Sequence, residues 1–222
     1  MHGIWPESGE LSEDEIRAAY AQPDGVRANF VTSIDGAATL DGQSGTLGNA
    51  ADQHLLMVTR QQCDVVLVGA GTVRAEKYNL VKPRMAIATR ALDVDPEQFA
   101  DAIIVTVETA PADKRAAFRD VLICGTDEVD PHAMLAQLAE RGLRKVLCEG
   151  GPHLLRSLQA ADAVDELCLT LSPVLAGPGA GRITAGAPIA PQRMRLAHVL
   201  TDGELLFTRY ARSEASATTS TD

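Results

Sequence analysis

The sequence predicts an α/β fold in which helices flank a central, mostly parallel sheet, with an antiparallel hairpin at its C-terminal end. Short apolar segments alternate with helical segments through most of the 222 residues, an order typical of parallel sheets. Residues 64–69 are almost wholly apolar and end at a glycine, as expected for a central strand that is buried on both faces. Near the end, Asp202-Gly203 separates two strand-like segments and indicates a tight turn.

The first third of the chain contains two well-marked helix starts. Ser12 and Glu15 have the spacing of a capping box, which predicts a short helix over 16–20. Asn49 is typical of an N-cap and predicts a helix to about residue 60. The other elements predicted in this part are a strand at 26–33, a glycine-rich loop at 34–48, the strand at 64–69 and a turn or short helix at 70–77.

The remainder continues the alternation. Asp130-Pro131 and Gly142 mark the start and end of one helix. Further helices are expected at 111–118 and 152–160, and strands at 84–88, 102–107, 121–124, 145–148, 164–171, 194–200 and 204–210. Because no repeat or linker divides the chain, we predict an N-terminal extension with a short helix at 1–24, one domain at 25–211 and a disordered tail at 212–222.

Composition excludes several classes of function. The chain has 20 Lys and Arg against 30 Asp and Glu, a net charge of −10, which argues against a nucleic-acid surface and a polybasic membrane patch. There is no apolar run long enough to span a bilayer and no signal-peptide pattern at the N-terminus. The four cysteines are widely spaced, so a disulfide framework is not expected and a cytoplasmic location is.

Two glycine-rich turns follow predicted strands. Val68 to Val73 contains Gly69, Gly71 and Thr72, and Glu149-Gly150-Gly151-Pro152 opens the helix at 152–160. Glycines at such strand ends let the backbone approach a phosphate, and the N-terminus of the next helix attracts an anion. On its own, the first motif is also explained by a tight turn that needs glycine, and the second by a helix start with an exposed Glu149. Two such turns in one sheet favour a dinucleotide or another phosphorylated ligand.

Three side chains are candidates for chemistry, each with a structural alternative. Asp35 ends a strand and could orient or protonate a substrate, or could satisfy its own turn. Arg60 could bind a substrate phosphate, or could complement the C-terminal dipole of its helix. Arg90 could select an adenosine 2′-phosphate, or could be an exposed loop residue. No metal is expected, because the sequence has no Cys-x-x-Cys pair and its five histidines are scattered.

Several segments together resemble a known family. They are Arg27 to Gly36, Val68 to Val73, Glu149 to Pro152, Val164 to Leu167, and Ser172 to Leu175 with Gly177. In this order, across about residues 25–210, they are similar to the reductase domain of the riboflavin-biosynthesis pyrimidine deaminase/reductase family, in its stand-alone form. The resemblance implies a dihydrofolate-reductase-like fold. It also implies that NADPH reduces the ribosyl group of 5-amino-6-(5-phosphoribosylamino)uracil, opened as an imine, to the ribityl form.

The resemblance also implies a set of site residues. NADPH contacts are expected at Val31, Thr46, Gly69, Gly71, Thr72, Glu76, Thr89, Arg90, Gly150, Gly151, Pro152, His153 and Leu154. In this set the stretch 151–157 would cradle the diphosphate, and Thr89 with Arg90 would meet the 2′-phosphate. Substrate contacts are expected at Ser44, Arg60, Leu80 and Glu149, and catalytic roles at Asp35 and Glu149. The partners implied are a small phosphorylated pyrimidine or pteridine and a second copy in a homodimer.

The sequence departs from the family pattern in three places, one of which is Asn29, where bifunctional members often have a lysine. The His-x-Glu and Pro-Cys-x-x-Cys motifs of a zinc deaminase are absent, so deamination is not expected of this chain. Residues 74–79 differ from the loop that usually helps to hold the substrate phosphate. Two other functions therefore stay open: a dihydrofolate or pteridine reductase that uses the same cofactor site, and a nucleotide-binding protein without turnover.

Overall fold

The protein was analysed as a computed structural model that describes residues 1–213. Its helices are α1 (Glu13–Ala19), α2 (Ala50–Gln61), α3 (Ala70–Ala75), α4 (Ala112–Arg115), α5 (Pro131–Glu140) and α6 (Pro152–Ala160). Its strands are β1 (His2–Trp5), β2 (Gly9–Glu10), β3 (Gly25–Ser33), β4 (Val65–Gly69), β5 (Met85–Ala88), β6 (Ile103–Thr106), β7 (Val121–Ile123), β8 (Lys145–Cys148), β9 (Glu166–Ser172), β10 (Met194–Thr201) and β11 (Leu206–Arg212).

All the strands belong to one sheet in the order β2-β1-β10-β11-β9-β3-β8-β4-β5-β6-β7. From β9 to β7 every neighbouring pair is parallel, and from β9 to β2 every pair is antiparallel. This arrangement confirms the predicted α/β class, with the parallel region central and the antiparallel hairpin β10–β11 toward one side. The carboxyl ends of the parallel strands lie along one edge, where an open α/β sheet binds its ligands.

The N-terminal residues add two strands that the sequence analysis does not predict. In β1, His2 lies opposite Thr201 and Gly3 opposite Leu200 of β10, and β2 pairs with β1. The segment is short and interrupted by glycines and a proline, so it shows no alternation of its own. Its strand conformation depends on β10, which comes near the end of the chain. The predicted hairpin therefore lies inside the outermost strands.

The helix starts follow the side chains that predict them. Ser12 and Glu15 form the reciprocal hydrogen bonds of a capping box on α1, and the Asn49 side chain accepts from the first turn of α2. Asp130 does the same for α5, with Pro131 in the first turn. At the other end of the chain, β11 runs to Arg212. The predicted tail starts at residue 212, but Arg212 still belongs to β11, where it pairs with Met194 of β10; residues 214–222 of that tail lie outside the described residues.

The core lies on both faces of the parallel region. Val65, Leu67 and Val68 of β4 are fully buried, as expected for a strand that helices cover on both sides. One face packs against α5 and α6, through residues such as Leu138 and Leu158. Within residues 1–213, no helix combines the length and the apolar character that crossing a bilayer requires.

A buried ion network lies where the parallel and antiparallel regions meet. Arg27 is fully buried and donates to the Glu166 carboxylate at 2.8 and 2.5 Å. Arg209 donates to the other oxygen of Glu166 at 2.7 Å. His198 lies beside Arg209, and burial, with a smaller effect of the Arg209 and Arg27 charges, lowers the pKa of His198 to about 4.

All four cysteines are buried free thiols. Burial raises the pKa of two of them, Cys63 and Cys148, to about 12, and that of Cys124 and Cys168 to about 11. A thiolate is the reactive form of cysteine, so these groups are chemically inert in the folded protein.

Candidate active site

A cavity of about 960 Å³ opens at the carboxyl ends of β4, β5 and β6. Its walls come from the first turns of α3 and α6, the turn after β5 and the loop before α5. The walls include most of the predicted cofactor residues, namely Gly69, Gly71, Thr72, Glu76, Thr89, Arg90, Gly151, Pro152, His153 and Leu154. We refer to this space as the main cavity.

The two glycine-rich turns meet at the base of the main cavity. The Gly69 N–H donates to the Gly150 carbonyl at 2.8 Å, and the Glu149 N–H donates to Leu67 at 3.0 Å. The peptide bond between Gly150 and Gly151 is cis, and Gly150 has φ +111°. β4 and β8 are parallel neighbours, which explains how motifs 80 residues apart in sequence come into contact.

Two glycines at this junction, Gly69 and Gly151, have little room for a side chain. A Cβ on Gly151 would lie 2.7 Å from Thr72 Oγ1, and one on Gly69 would lie 3.3 Å from the Gly151 nitrogen. Gly151 is also the N-cap residue of α6, so no side chain covers the first N–H groups of that helix. Exposed backbone N–H groups at a helix N-terminus suit a phosphate group.

The turn after β5 holds Thr89 and Arg90 at another wall of the main cavity. Thr89 is 5% exposed, and its hydroxyl accepts from the Leu92 N–H at 3.0 Å and donates to Asp93 at 3.1 Å. The Arg90 side chain is 64% exposed and lies 3.7 Å from Glu128. The Thr89 hydroxyl thus stabilises its own turn, while Arg90 has only a weak surface partner.

Charges of both signs line the main cavity. The cations are Arg74, Arg90 and Arg156, and the anions are Glu76, Asp93, Asp127 and Glu128. Arg156 follows His153 by one helical turn of α6, and its Nε donates to the Ala187 carbonyl at 2.8 Å. The sequence analysis covers Arg156 only within the stretch 151–157; its spacing of three from His153 is the signal that places both on one face.

Arg60, Glu149 and Tyr78 form a compact cluster beside the glycine junction. Arg60 donates to both oxygens of Glu149, from Nε at 2.7 Å and from Nη2 at 2.6 Å. The Tyr78 hydroxyl donates to Glu149 Oε2 at 2.7 Å. The Glu149 side chain is 3% exposed and that of Arg60 is 15% exposed. The hydrogen bonds and charge of Glu149 raise the pKa of Arg60, and burial, with the Glu149 charge, raises the pKa of Tyr78.

The structure therefore brings two predicted substrate residues, Arg60 and Glu149, into direct contact with each other. Sequence reasoning did not identify Tyr78, because only the fold brings the loop after α3 next to the end of β8. Of the other two, Ser44 donates its N–H to Glu76 Oε1 at 2.8 Å, which ties the loop 34–48 to a wall of the main cavity. Leu80 is 42% exposed.

Val31, Thr46 and Gly150 are the predicted cofactor residues that do not line the main cavity. Val31 is half-buried in β3, opposite Thr170 of β9. Thr46 is exposed in the loop 34–48. Gly150 lies at the junction itself, where a Cβ would be 3.5 Å from Thr72 Oγ1.

Asp35 connects two loops at the carboxyl ends of β3 and β9. Its carboxylate accepts from the Ala176 N–H at 3.1 Å and the Gly177 N–H at 2.8 Å, and from the Ser33 hydroxyl. These hydrogen bonds, that from Ser33 foremost, hold the pKa of Asp35 below its usual value. Asp35 does not line the main cavity. Its observed contacts make it an anchor for the loop after β9.

No group of three or more His, Cys, Asp or Glu side chains within the described part of the chain is arranged to hold a metal ion. The main cavity offers backbone N–H groups, three arginines and several threonine hydroxyls, and the Arg60–Glu149–Tyr78 cluster, which does not line it, lies beside the glycine junction at its base. Such a set can bind an elongated anionic ligand beside a buried carboxylate.

Comparisons with known proteins identify a family and several relatives of the chain. Residues 25–207 match the family model described as RibD C-terminal domain. The chain is 27% identical over 168 residues to the 2,5-diamino-6-ribosylamino-4(3H)-pyrimidinone 5′-phosphate reductase of Methanothermobacter thermautotrophicus, covering 65% of this chain and 78% of the relative. It is 31% identical over 157 residues to the riboflavin biosynthesis protein RibD of Mycobacterium tuberculosis, covering 70% of this chain and 43% of the relative.

Solved structures support the fold. A pyrimidine reductase-like protein from Corynebacterium diphtheriae superposes with a TM-score of 0.79 at 24% identity, covering 88% of this chain and 94% of that one. At this level of identity the likeness concerns the fold alone.

Proposed function

The chain belongs to the RibD C-terminal domain family, and from this premise we propose that it is an NADPH-dependent reductase of riboflavin biosynthesis. Its substrate is a phosphoribosylaminopyrimidine, whose ribosyl group it reduces to the ribityl form. The observation that supports the proposal is the junction of the two glycine-rich turns, where the start of α6, whose first N–H groups no side chain caps, lies directly beside the buried Glu149 carboxylate.

The residues present fit a nicotinamide dinucleotide. Gly151, the N-cap residue of α6, has no side chain that could cover the first N–H groups of that helix, which supports close approach of a diphosphate. The α6 start, with Arg156 one turn later, would hold the diphosphate, and Arg90 the 2′-phosphate. When bound, the reduced nicotinamide supplies a hydride to C1 of the ribosyl group in its open imine form.

The cluster beside the junction would bind the substrate. Glu149 is a buried hydrogen-bond acceptor, suited to an N–H or O–H group of the substrate. Arg60 uses Nε and Nη2 on Glu149, and its Nη1 has no hydrogen-bond partner within residues 1–213, so Nη1 is free to donate to a phosphate. Ser44 and Leu80 complete the proposed substrate contacts. These groups act by orienting the substrate and excluding water.

In this proposal Asp35 acts indirectly, by anchoring the loop after β9. A carboxyl group whose pKa is lowered is a poor proton donor at neutral pH. We assign it the task of holding residues 176–177 at the substrate end of the sheet.

A second candidate substrate differs at one position of the pyrimidine ring. Our first choice is the uracil form, 5-amino-6-(5-phosphoribosylamino)uracil. The name of the archaeal relative, which this chain covers over 78% of its length, favours the 2-amino form, 2,5-diamino-6-ribosylamino-4(3H)-pyrimidinone 5′-phosphate. Both forms need the same hydride transfer, so one assay ranks them.

The experiment offers purified protein each pyrimidine, with dihydrofolate as a third substrate, and follows the absorbance of the reduced nicotinamide with NADPH and with NADH. We expect turnover of at least one pyrimidine and a preference for NADPH. Turnover of dihydrofolate alone would replace the proposal with a pteridine reductase. Binding of NADPH without turnover of any substrate would indicate a nucleotide-binding protein.

We also propose a cytoplasmic homodimer. The four buried free thiols suit a reducing compartment, and exposed apolar side chains such as Leu175 and Ile34 offer contact surface at the substrate end of the sheet. Light scattering coupled to size-exclusion chromatography measures the oligomeric state directly, and a monomer at micromolar concentration would contradict this part.

A further inference from the structure

Tyr78 is held firmly in the loop that follows α3. Lys77 has φ +51°, and the next N–H, that of Tyr78, donates back to the Val73 carbonyl at 3.0 Å. The Tyr78 carbonyl accepts from Gln98 Nε2 at 3.0 Å, and the ring packs against the apolar cluster that contains Val73. Backbone and ring are thus fixed independently of the hydroxyl group.

The hydroxyl of this fixed ring completes the surroundings of the Glu149 carboxylate. Oε2 of Glu149 receives both Tyr78 Oη at 2.7 Å and Arg60 Nη2 at 2.6 Å, whereas Oε1 receives only Arg60 Nε at 2.7 Å. The Arg60 guanidinium carbon also lies 6.0 Å from the centre of the Tyr78 ring, within range of a cation–π interaction. A carboxylate offers about four lone-pair sites. Three are used, and the open one is on Oε1.

We infer that Tyr78 is a positioning residue for the reduction, which holds the Glu149 carboxylate so that its open site on Oε1 accepts a hydrogen bond from the pyrimidine substrate. The inference rests on the proposed function. It concerns a residue in the stretch 74–79, where the sequence departs from the family pattern, so the resemblance does not imply it. Tyr78, like Arg60 and Glu149, does not line the main cavity, so the cluster as a whole lies beside the proposed cofactor site and not within it.

Tyr78→Phe is the direct test, because it keeps the ring and its packing and removes one donor from Oε2. Arg60 alone then holds the carboxylate, and a hydrogen bond to a charged group is lost. We expect kcat/KM for the pyrimidine to fall by about tenfold to a hundredfold, chiefly through kcat. The dissociation constant of NADPH, measured by its fluorescence, should stay within about twofold. The thermal midpoint should fall by roughly 3–12 °C, as for one hydrogen bond to a buried charge, and the protein should stay folded at the assay temperature.

Tyr210→Phe is the matched control. It also removes a tyrosine hydroxyl, but from β11, where Tyr210 lies opposite Leu167 and its hydroxyl has no hydrogen-bond partner within the described residues. We expect it to leave kcat/KM unchanged. Glu149→Gln provides the second comparison: once the carboxylate is gone, adding Tyr78→Phe should change kcat/KM by less than about twofold, because the hydroxyl acts through Glu149.

The possible outcomes separate this inference from the proposed function. If the wild-type protein reduces no pyrimidine, the proposed function fails and the role of Tyr78 fails with it. If the wild type is active and Tyr78→Phe matches Tyr210→Phe, only the role of Tyr78 is overturned. A loss of NADPH affinity or of thermal stability that accounts for the lost activity would make Tyr78 merely structural. A full effect of Tyr78→Phe in the Glu149→Gln background would mean that the hydroxyl does not act through Glu149.

Discussion

Replacing Gly151 by alanine tests whether the glycine junction is a close-packed cradle. The added Cβ would lie 2.7 Å from Thr72 Oγ1, well inside normal van der Waals separation. Thr72 lies in the first turn of α3 and is β-branched, so its χ1 is restricted to few rotamers and Oγ1 moves away only by a change of rotamer or a shift of the backbone. Overpacking of this kind costs about 1–3 kcal/mol of folding stability, or a thermal midpoint lowered by roughly 2–12 °C in a chain of this size.

The same substitution should weaken NADPH binding. To make room, the start of α6 must move away from Thr72, which displaces the N–H groups that would hold the diphosphate. We expect the dissociation constant to rise by about tenfold or more, as for the loss of one charge-assisted hydrogen bond. The assay is a fluorescence titration of NADPH, with thermal unfolding recorded on the same samples. Gly181→Ala is the control, because a Cβ there meets open space.

A double-mutant cycle decides whether this contact is the cause. Thr72→Ala removes Oγ1, and the nearest remaining atom of the side chain, Cβ, is an ordinary 4.0 Å from the Cβ position of residue 151. In that background Gly151→Ala should cost less than about 1 kcal/mol of stability. An equal cost in both backgrounds would refute the reasoning, since the strain would then have another source.

Three further predictions concern other parts of the molecule. The pKa of His198 is lowered to about 4 from about 6.5 in an unfolded chain, so between these values the unfolded state binds a proton that the folded state does not. The free energy of unfolding should therefore fall by up to roughly 3 kcal/mol as the pH drops from 6.5 to 4. In His198→Gln the free energy of unfolding, measured by denaturant titration at each pH, should depend less on pH over that range, and an unchanged pH dependence would contradict the assignment. Arg90→Ala should cost about 1–3 kcal/mol of NADPH affinity; an equal loss for NADH would exclude a contact with the 2′-phosphate. Because burial raises the pKa of all four thiols, a thiol reagent at pH 8 should label none in the native protein and four after denaturation, and rapid native labelling would show that a cysteine is accessible.

The fold could be predicted where the signals are local. The capping box of Ser12, the Asn49 cap and the Asp130-Pro131 start depend on residues within one turn of each other, and each begins a helix in the structure. β1 could not be predicted, because its strand conformation arises from pairing with β10. Residues 2–5 carry no signal of their own that identifies β10 as their partner strand.

The candidate site likewise has one part that the sequence predicts and another that depends on long-range packing. The meeting of the Gly69 and Gly150 turns follows from a general rule, that carboxyl ends of parallel strands share an edge. The pairing of Arg60 with Glu149 and the attachment of Tyr78 depend on how α2 and the loop after α3 pack against β8, which no spacing in the sequence reveals. The role of Asp35 as an anchor likewise depends on residues 176–177, far along the chain.

The strands β1 and β2 also protect one edge of the sheet, the edge beside β10. An open edge strand is a template on which another chain can add a strand and start aggregation. Here β1 occupies the edge of β10 at residues 199–201, the outermost strand β2 is only two residues long, and the uncovered part of β10 carries the exposed Arg195 and an irregular register near Leu196. This edge of the sheet is thus broken into lengths too short for a second copy to extend, and a chain lacking its first ten residues, with the edge of β10 uncovered, should be prone to aggregate.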